Sequence, residues 1–187
     1  NPLIGLEYRK RFFSGHITLD TTFTQEQLFD SDGSRFGEER IRGSIFGEGL
    51  FQVNDYWKWG FGVERTYDDF YLRRYDLAGP GETRGPYIGN RTRLISQLYA
   101  IGQNDHSCSQ VSLVSFQGLR DLETADLLPS ILPYVDTEQV LYDPWFGGQT
   151  RVQLNSAVLL REDNPATLAL EGNDGRITGS ISWRKDA

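Results

Sequence analysis

The stretch RIRGSIFGEGLFQVNDYWKWGFGVERT, residues 40–66, decides the fold. Read alternately, Ile41, Gly43, Ile45, Gly47, Gly49, Phe51 and Val53 share one face. Arg40, Arg42, Ser44, Glu48 and Gln52 share the other, with Phe46 and Leu50 as exceptions. After Asn54-Asp55 the alternation resumes, with Trp57, Trp59, Phe61 and Val63 against Tyr56, Lys58, Gly60, Gly62 and Glu64. A period of two is the strand period, because successive side chains point to opposite faces. Asn and Asp tolerate the positive φ of a tight reversal. The stretch therefore reads as an antiparallel hairpin with strands of about 11–14 residues, roughly twice the common length. Its apolar face either rests on a protein core or meets lipid while the charged face lines a watery lumen.

The 187 residues suffice for one domain with a sizeable core. Nineteen basic residues against 26 acidic ones give a formal charge of −7, which lacks the basic footprint of a nucleic-acid binder. Aromatic residues make up 13% of the chain, which suits β-strands and equally suits an interfacial girdle. Cys108 is the one cysteine, so no internal disulfide can form. No apolar run approaches the ~18 residues of a membrane helix, which leaves crossing by strands open. The chain begins Asn1-Pro2 with neither Met nor a signal peptide, and reads as a piece of a longer protein.

Working outward, alternation and turn residues predict strands at 3–13, 16–26, 39–53, 56–66, 91–103, 107–117, 131–142, 149–161 and 176–185. The strands at 91–103 and 131–142 alternate poorly, and Pro133 interrupts the second. The connections then run short, long, short, long throughout. Ser14-Gly15, Asn54-Asp55, Asn104 to His106 and Asp143 to Gly148 are tight, whereas 27–38, 67–90, 118–130 and 162–175 are long. In an up-and-down meander every second connection lies at the same end. All tight turns thus fall at one end and all long loops at the other, as in outer-membrane barrels. The aromatics agree. Phe12, Phe13, Tyr56, Trp57, Tyr142, Trp145 and Phe146 crowd the tight-turn end, and Phe23, Phe29 and Trp183 are assigned to the other. The expected fold is all-β, an antiparallel meander of about nine long strands forming one segment of a large transmembrane β-barrel. Its long loops are expected to be extracellular and its short turns periplasmic. Arg40, Arg42, Glu48, Lys58, Glu64, Arg151 and Arg161 are then the candidate lumen-facing polar residues.

Catalytic and metal chemistry find little footing. His16 and His106 flank tight turns without a second ligand at metal spacing. Asp30, Asp32 and Glu39 fit a calcium loop only partly, because Leu28 falls on the first ligand position. Asp68-Asp69 and Arg73-Arg74 read as solvated loop charges, Cys108 lacks an activating partner, and Asn90-Arg91-Thr92 is a chance-level glycosylation pattern. No cofactor and no enzymatic activity are expected.

The run from Trp57-Lys-Trp59-Gly-Phe61 through Asp68-Asp69-Phe-Tyr71-Leu72-Arg73-Arg74-Tyr75 resembles a segment of the LPS-assembly protein family LptD, also called organic solvent tolerance protein. Leu6-Glu-Tyr8-Arg-Lys-Arg-Phe12, Phe116-Gln117-Gly118-Leu119 and Leu132-Pro133-Tyr134 are similar to its flanking strands. The resemblance implies an internal stretch of a Gram-negative outer-membrane barrel that delivers lipopolysaccharide to the outer leaflet. It also implies an LptE-type lipoprotein plug and periplasmic LPS-bridge proteins as partners. The family's N-terminal domain and disulfide cysteines have no counterpart in this sequence, and no exit residues transfer. A soluble β-sandwich binding module and a general porin or receptor barrel are the alternatives, the first with Trp57 and Trp59 in a core or on a sugar platform.

Overall fold

The structure is a computed structural model that describes residues 2–29, 35–77, 83–90, 92–119, 128, 130–143, 147–160 and 173–185. Nine antiparallel strands form one sheet in the order of the chain. They are β1 (Leu3–Arg11), β2 (Gly15–Phe29), β3 (Arg35–Gln52), β4 (Trp57–Thr66), β5 (Arg93–Gln103), β6 (Ser107–Gly118), β7 (Ser130–Asp143), β8 (Gly148–Leu160) and β9 (Asp174–Arg184). Among the described residues a single four-residue helix, α1 (Tyr71–Arg74), lies between β4 and β5. The all-β meander read from the alternation is thus the observed architecture, as an open sheet with no pairing between β1 and β9.

The central strands are longer than the alternation suggested. β2 continues to Phe29 and β3 begins at Arg35, with a register shift between Glu26 and Leu28. The expected loop at 27–38 is largely strand. A bulge lets a ladder absorb an irregular residue and continue. At the opposite end the turns are tight. Asn54 Oδ1 accepts the amides of Tyr56 and Trp57, and Asn104 Oδ1 accepts those of His106 and Ser107. These are Asx caps, the local reason Asn occupies both positions.

Register links the faces of all nine strands, because directly paired residues share a side of the sheet. Ile4 opposes Phe23, Phe23 opposes Gly43, Gly49 opposes Phe61, Phe61 opposes Leu98, and Leu98 opposes Leu113. Farther along, Leu154 opposes Gly179 and Val152 opposes Ile181. This apolar face is left open. Leu6 is 59% exposed, Ile41 71% and Ile181 77%. Among the described residues the buried cluster is Phe46, Tyr71, Leu72, Leu94 and Leu119, flanked by Tyr75 and Leu77, with Phe46 on the other face and α1 packed over it. The core therefore sits between the polar face of the sheet and the segment that connects β4 to β5.

Candidate functional site

The polar face is built by the same register. Arg40 pairs with Glu26, Arg42 with Thr24, and Glu48 lies between Thr18 and Gly62. Lys58 lies between Gln52 and Ile101, Glu64 opposes Phe46, and Arg151 lies between Val140 and Ser182. Six of the seven polar residues picked out by alternation thus share one side of the sheet; Arg161 lies outside the described residues.

The segment after β4 does not stand away from the sheet as a solvated loop. It folds back across the polar face as a strap, held at three places. At the first, Arg42 donates from Nε and Nη2 to Asp68 at 2.5 and 2.6 Å and from Nη1 to Glu26 at 2.5 Å. Arg74 also pairs with Glu26, whose side chain is 5% exposed, and the Tyr75 hydroxyl donates to it at 3.3 Å. The Tyr71 hydroxyl donates to Thr22 Oγ1 at 3.0 Å. A carboxylate this buried is tolerable only with paired cations and full hydrogen bonding, and Glu26 has two cations. Burial alone would raise the Asp68 carboxyl. The hydrogen bonds and charge of Arg42, with the amides of Phe70 and Tyr71, outweigh that and hold it below the usual carboxylate range.

At the second place Arg84 Nη1 meets Glu64 Oε1 at 3.0 Å, with side chains 9% and 2% exposed. The Arg84 guanidinium lies 5.0 Å from the centre of the Phe46 ring, a cation–π position. The Phe46 break in the alternation is thereby explained: an apolar side chain on the polar face has α1 and Arg84 to cover it. At the third, the Tyr87 amide donates to Gln97 Oε1 at 3.1 Å and Gln97 Nε2 returns a bond to the Tyr87 carbonyl at 2.7 Å. The Tyr87 hydroxyl accepts from Gln110 at 3.1 Å, and its ring meets Tyr134 edge-on. Two glycines permit this approach. A Cβ on Gly62 would overlap the Arg84 carbonyl oxygen, and Gly85 adopts φ +137° against Gln97 and Tyr99. Side chains other than glycine rarely adopt that φ.

The strap coincides with an opening in the sheet. The β4–β5 ladder ends at the Gly62–Gln97 pair. Beyond it, side chains replace backbone partners. The Ser96 hydroxyl accepts the Glu64 amide at 3.2 Å and donates to the Glu64 carbonyl at 3.1 Å. Glu64 Oε2 accepts the Ile95 amide at 3.1 Å, and Gln117 reaches the amide and carbonyl of Thr66 at 3.0 and 2.8 Å. Buried backbone groups need partners, and side chains supply them here.

Several sequence readings change. Asp68 and Arg74 were read as solvated charges; each is half of an ion pair to the sheet, because the strap turns inward. Trp183 was assigned to the long-loop end. It pairs with Thr150, beside Gly148, at the tight-turn end. The reason is strand direction: β9 runs the same way as β1, so its C-terminal residues end at the tight turns. Phe12, Phe13, Tyr56, Trp57, Tyr142 and Trp183 are all exposed, while Trp145 and Phe146 lie outside the described residues. Sequence reasoning missed Phe51, whose ring stacks on Trp59 at 4.8 Å and tilts against Phe12 at 5.8 Å. Its alternation signal was visible; its place in an aromatic row was not. It also missed Glu26, Tyr71, Arg84, Tyr87 and Gln97, whose roles depend on a strap that no local pattern encodes.

Among the described residues no group of three His, Cys, Asp or Glu side chains could hold a metal ion. His16 lies 3.9 Å from Glu48, His106 packs edge-on against Tyr142, and Cys108 is exposed. The loop containing Asp30 and Asp32 lies outside the described residues. Among the described residues no helix is long and apolar enough to cross a membrane, which says nothing of crossing by strands.

Comparison with known proteins gives one match. The family model LptD, LPS transport system D, matches residues 40–185. No curated protein and no solved structure matches the chain.

Proposed function

Because the chain belongs to the LptD family, LPS transport system D, we propose that its sheet is a stretch of outer-membrane barrel wall that helps deliver lipopolysaccharide to the outer leaflet. The family is one of transport and outer-membrane assembly, not of enzymes. The observation that carries the reading is the continuous separation of faces. Exposed apolar side chains line one side of all nine strands, while Arg40, Arg42, Glu48, Lys58, Glu64 and Arg151 share the other. In this reading the apolar side meets hydrocarbon and the polar side lines a hydrophilic conduit. Ile41 to Phe51 spans about 33 Å along a strand, or about 25 Å of thickness at a barrel tilt near 40°, which suits the usual apolar band. The exposed edges of β1 and β9 call for further strands, since open ladders are not tolerated in lipid. An LptE-type lipoprotein plug and periplasmic LPS-bridge proteins are the proposed partners, and the strap is proposed to narrow the conduit from within.

A soluble sandwich would cover the apolar face with a second sheet. Among the described residues the covering segment lies instead on the polar face, which weighs against that reading. A general porin has the same wall; the family match favours lipopolysaccharide as cargo. The test is photo-crosslinking in the intact protein from positions 48 and 58. Capture of lipopolysaccharide supports the conduit. Capture only from positions on the apolar face would refute it.

A further inference from the structure

Two cations of the paired strands fall on the apolar face, Lys10 near the tight turns and Arg65 toward the other end. Arg65 pairs in register with Ile45, among the residues that point away from the strap. It is half-buried, and among the described residues no carboxylate pairs with it. Its Nη2 donates to Ser115 Oγ at 2.8 Å. A guanidinium carries five donor hydrogens, so most of its capacity is unused by that contact.

Arg65 also separates two apolar grooves. One, of about 350 Å³, is lined by Phe23, Ile41, Ile45 and the Arg65 stem. The other, of about 310 Å³, is lined by Phe61, Val63, Leu98, Leu113 and Leu132, with Ser115 at its side. Both lie on the exposed face. The Arg65–Ser115 bond therefore spans from one groove to the other, past the point where the β4–β5 ladder has opened.

Position along the strand matters. Trp57, at the tight-turn end, and Arg65 are eight residues apart, about 21 Å of thickness at a tilt near 40°. An apolar band is about 25 Å tall, so a cation at this height sits in its far half, where the cost of a charge declines toward the boundary. That boundary is the one carrying the long connections.

We propose that Arg65 and Ser115 bind a phosphate of lipopolysaccharide already resting in the surrounding leaflet, with its acyl chains in the two flanking grooves. This rests on the outer-membrane reading above, but it is a site on the outside of the wall rather than in the conduit. A planar guanidinium suits a phosphate by paired hydrogen bonds. Grooves on both sides of one cation suit a phosphorylated sugar bearing several splayed chains. A glycerophospholipid brings only two chains to its phosphate and fills two grooves less fully. Committing Arg65 to a lipid phosphate also gives a role to an arginine set among Ile45, Phe61 and Val63.

The experiment uses the full-length protein in nanodiscs with a photo-crosslinking residue at position 45, loaded in parallel with lipopolysaccharide or with phosphatidylglycerol. Position 48, on the opposite face, reports the conduit independently. The expected result is lipopolysaccharide capture at position 45 that falls about tenfold or more in Arg65→Gln, as loss of a charge-assisted contact implies. Capture should be kept only in part in Arg65→Lys, which keeps the charge but loses the paired geometry, and should fall several-fold in Ser115→Ala, which keeps both. Heat-modifiable migration confirms that each variant is folded. Capture at 45 that is indifferent to Arg65→Gln, or equal capture of phosphatidylglycerol, overturns the proposal. Loss of capture at 48 with retention at 45 would overturn the conduit reading while leaving this site standing.

Discussion

Replacing Glu64 by leucine leaves Arg84 facing an apolar side chain at a position where both partners are nearly inaccessible to water, 2% and 9% exposed at their side chains. Breaking a buried pair by removing one member costs about 3–5 kcal/mol, because Arg84 loses its Glu64 partner while still held out of water. The Ile95 amide also loses its acceptor, Glu64 Oε2, so the lower end of that range is a conservative expectation. The cost falls on the closed strap rather than on the whole sheet, since the strap can lift and rehydrate Arg84 while the ladders stay paired. A loss of about 3 kcal/mol is roughly a 150-fold rise in the open population, at 1.4 kcal/mol per factor of ten. Hydrogen exchange of the intact protein reads this at the Tyr87 amide, which donates to Gln97 inside the closed strap. Exchange there should accelerate by about two orders of magnitude in Glu64→Leu, with strand amides at the Leu98–Leu113 pair unchanged. The double variant Glu64→Leu, Arg84→Met should return most of the protection, since an apolar pair of similar volume is often as stable as a buried ion pair. Unchanged exchange at Tyr87 in the single variant would refute the claim that this pair holds the strap down.

Three further outcomes follow from the same geometry. Gly62→Val places a side chain where the Arg84 carbonyl lies; the strap should lift, with a cost of about 1–3 kcal/mol typical of overpacking, read by exchange at the same amide. The Asp68 carboxyl is held below its ordinary value, so its contribution is fully present above about pH 4 and is lost as pH falls through the depressed folded value. Acid should therefore loosen the Tyr71 region, and Asp68→Asn should already be loosened at neutral pH and lose that part of the acid response. Phe61→Arg puts a charge in mid-strand on the exposed face and should cost about 2–4 kcal/mol of stability in a bilayer, measured by urea unfolding in vesicles, whereas Lys58→Gln on the opposite face should cost little.

The parts of this fold that could be read from sequence were those whose two faces have different surroundings. β3 and β4 alternate because one side is apolar and the other is polar. β5 alternates poorly for a physical reason. Its Ile95 and Tyr99 share the polar face and are buried there, at 9% exposure each, while Leu98 lies on the other face. Apolar residues are thus needed on both sides, and the period disappears. β7 was obscured by Pro133, which lies within the register shift between Ile131 and Tyr134. The strap was illegible because its Gly-Pro composition describes a loop without saying where the loop goes. Its course is set by contacts across tens of residues, such as Tyr71 with Thr22 and Arg84 with Glu64. Phe46, which with Leu50 breaks an otherwise polar row, was a local sign that something covers that face.

In the proposed barrel wall the two faces of β3 meet different media, lipid on one and water on the other. This contrast is tested most directly by a single-cysteine scan of positions 44–51 in the full-length protein in native membranes, with Cys108, which is exposed, first replaced by serine. Each cysteine carries a fluorophore and is challenged with a bilayer-embedded quencher and with a water-soluble one. The expected result is an alternation of period two, with positions 45, 47, 49 and 51 quenched from the lipid and positions 48 and 50 from water. Odd positions shielded from both quenchers, as in two stacked sheets, would contradict it.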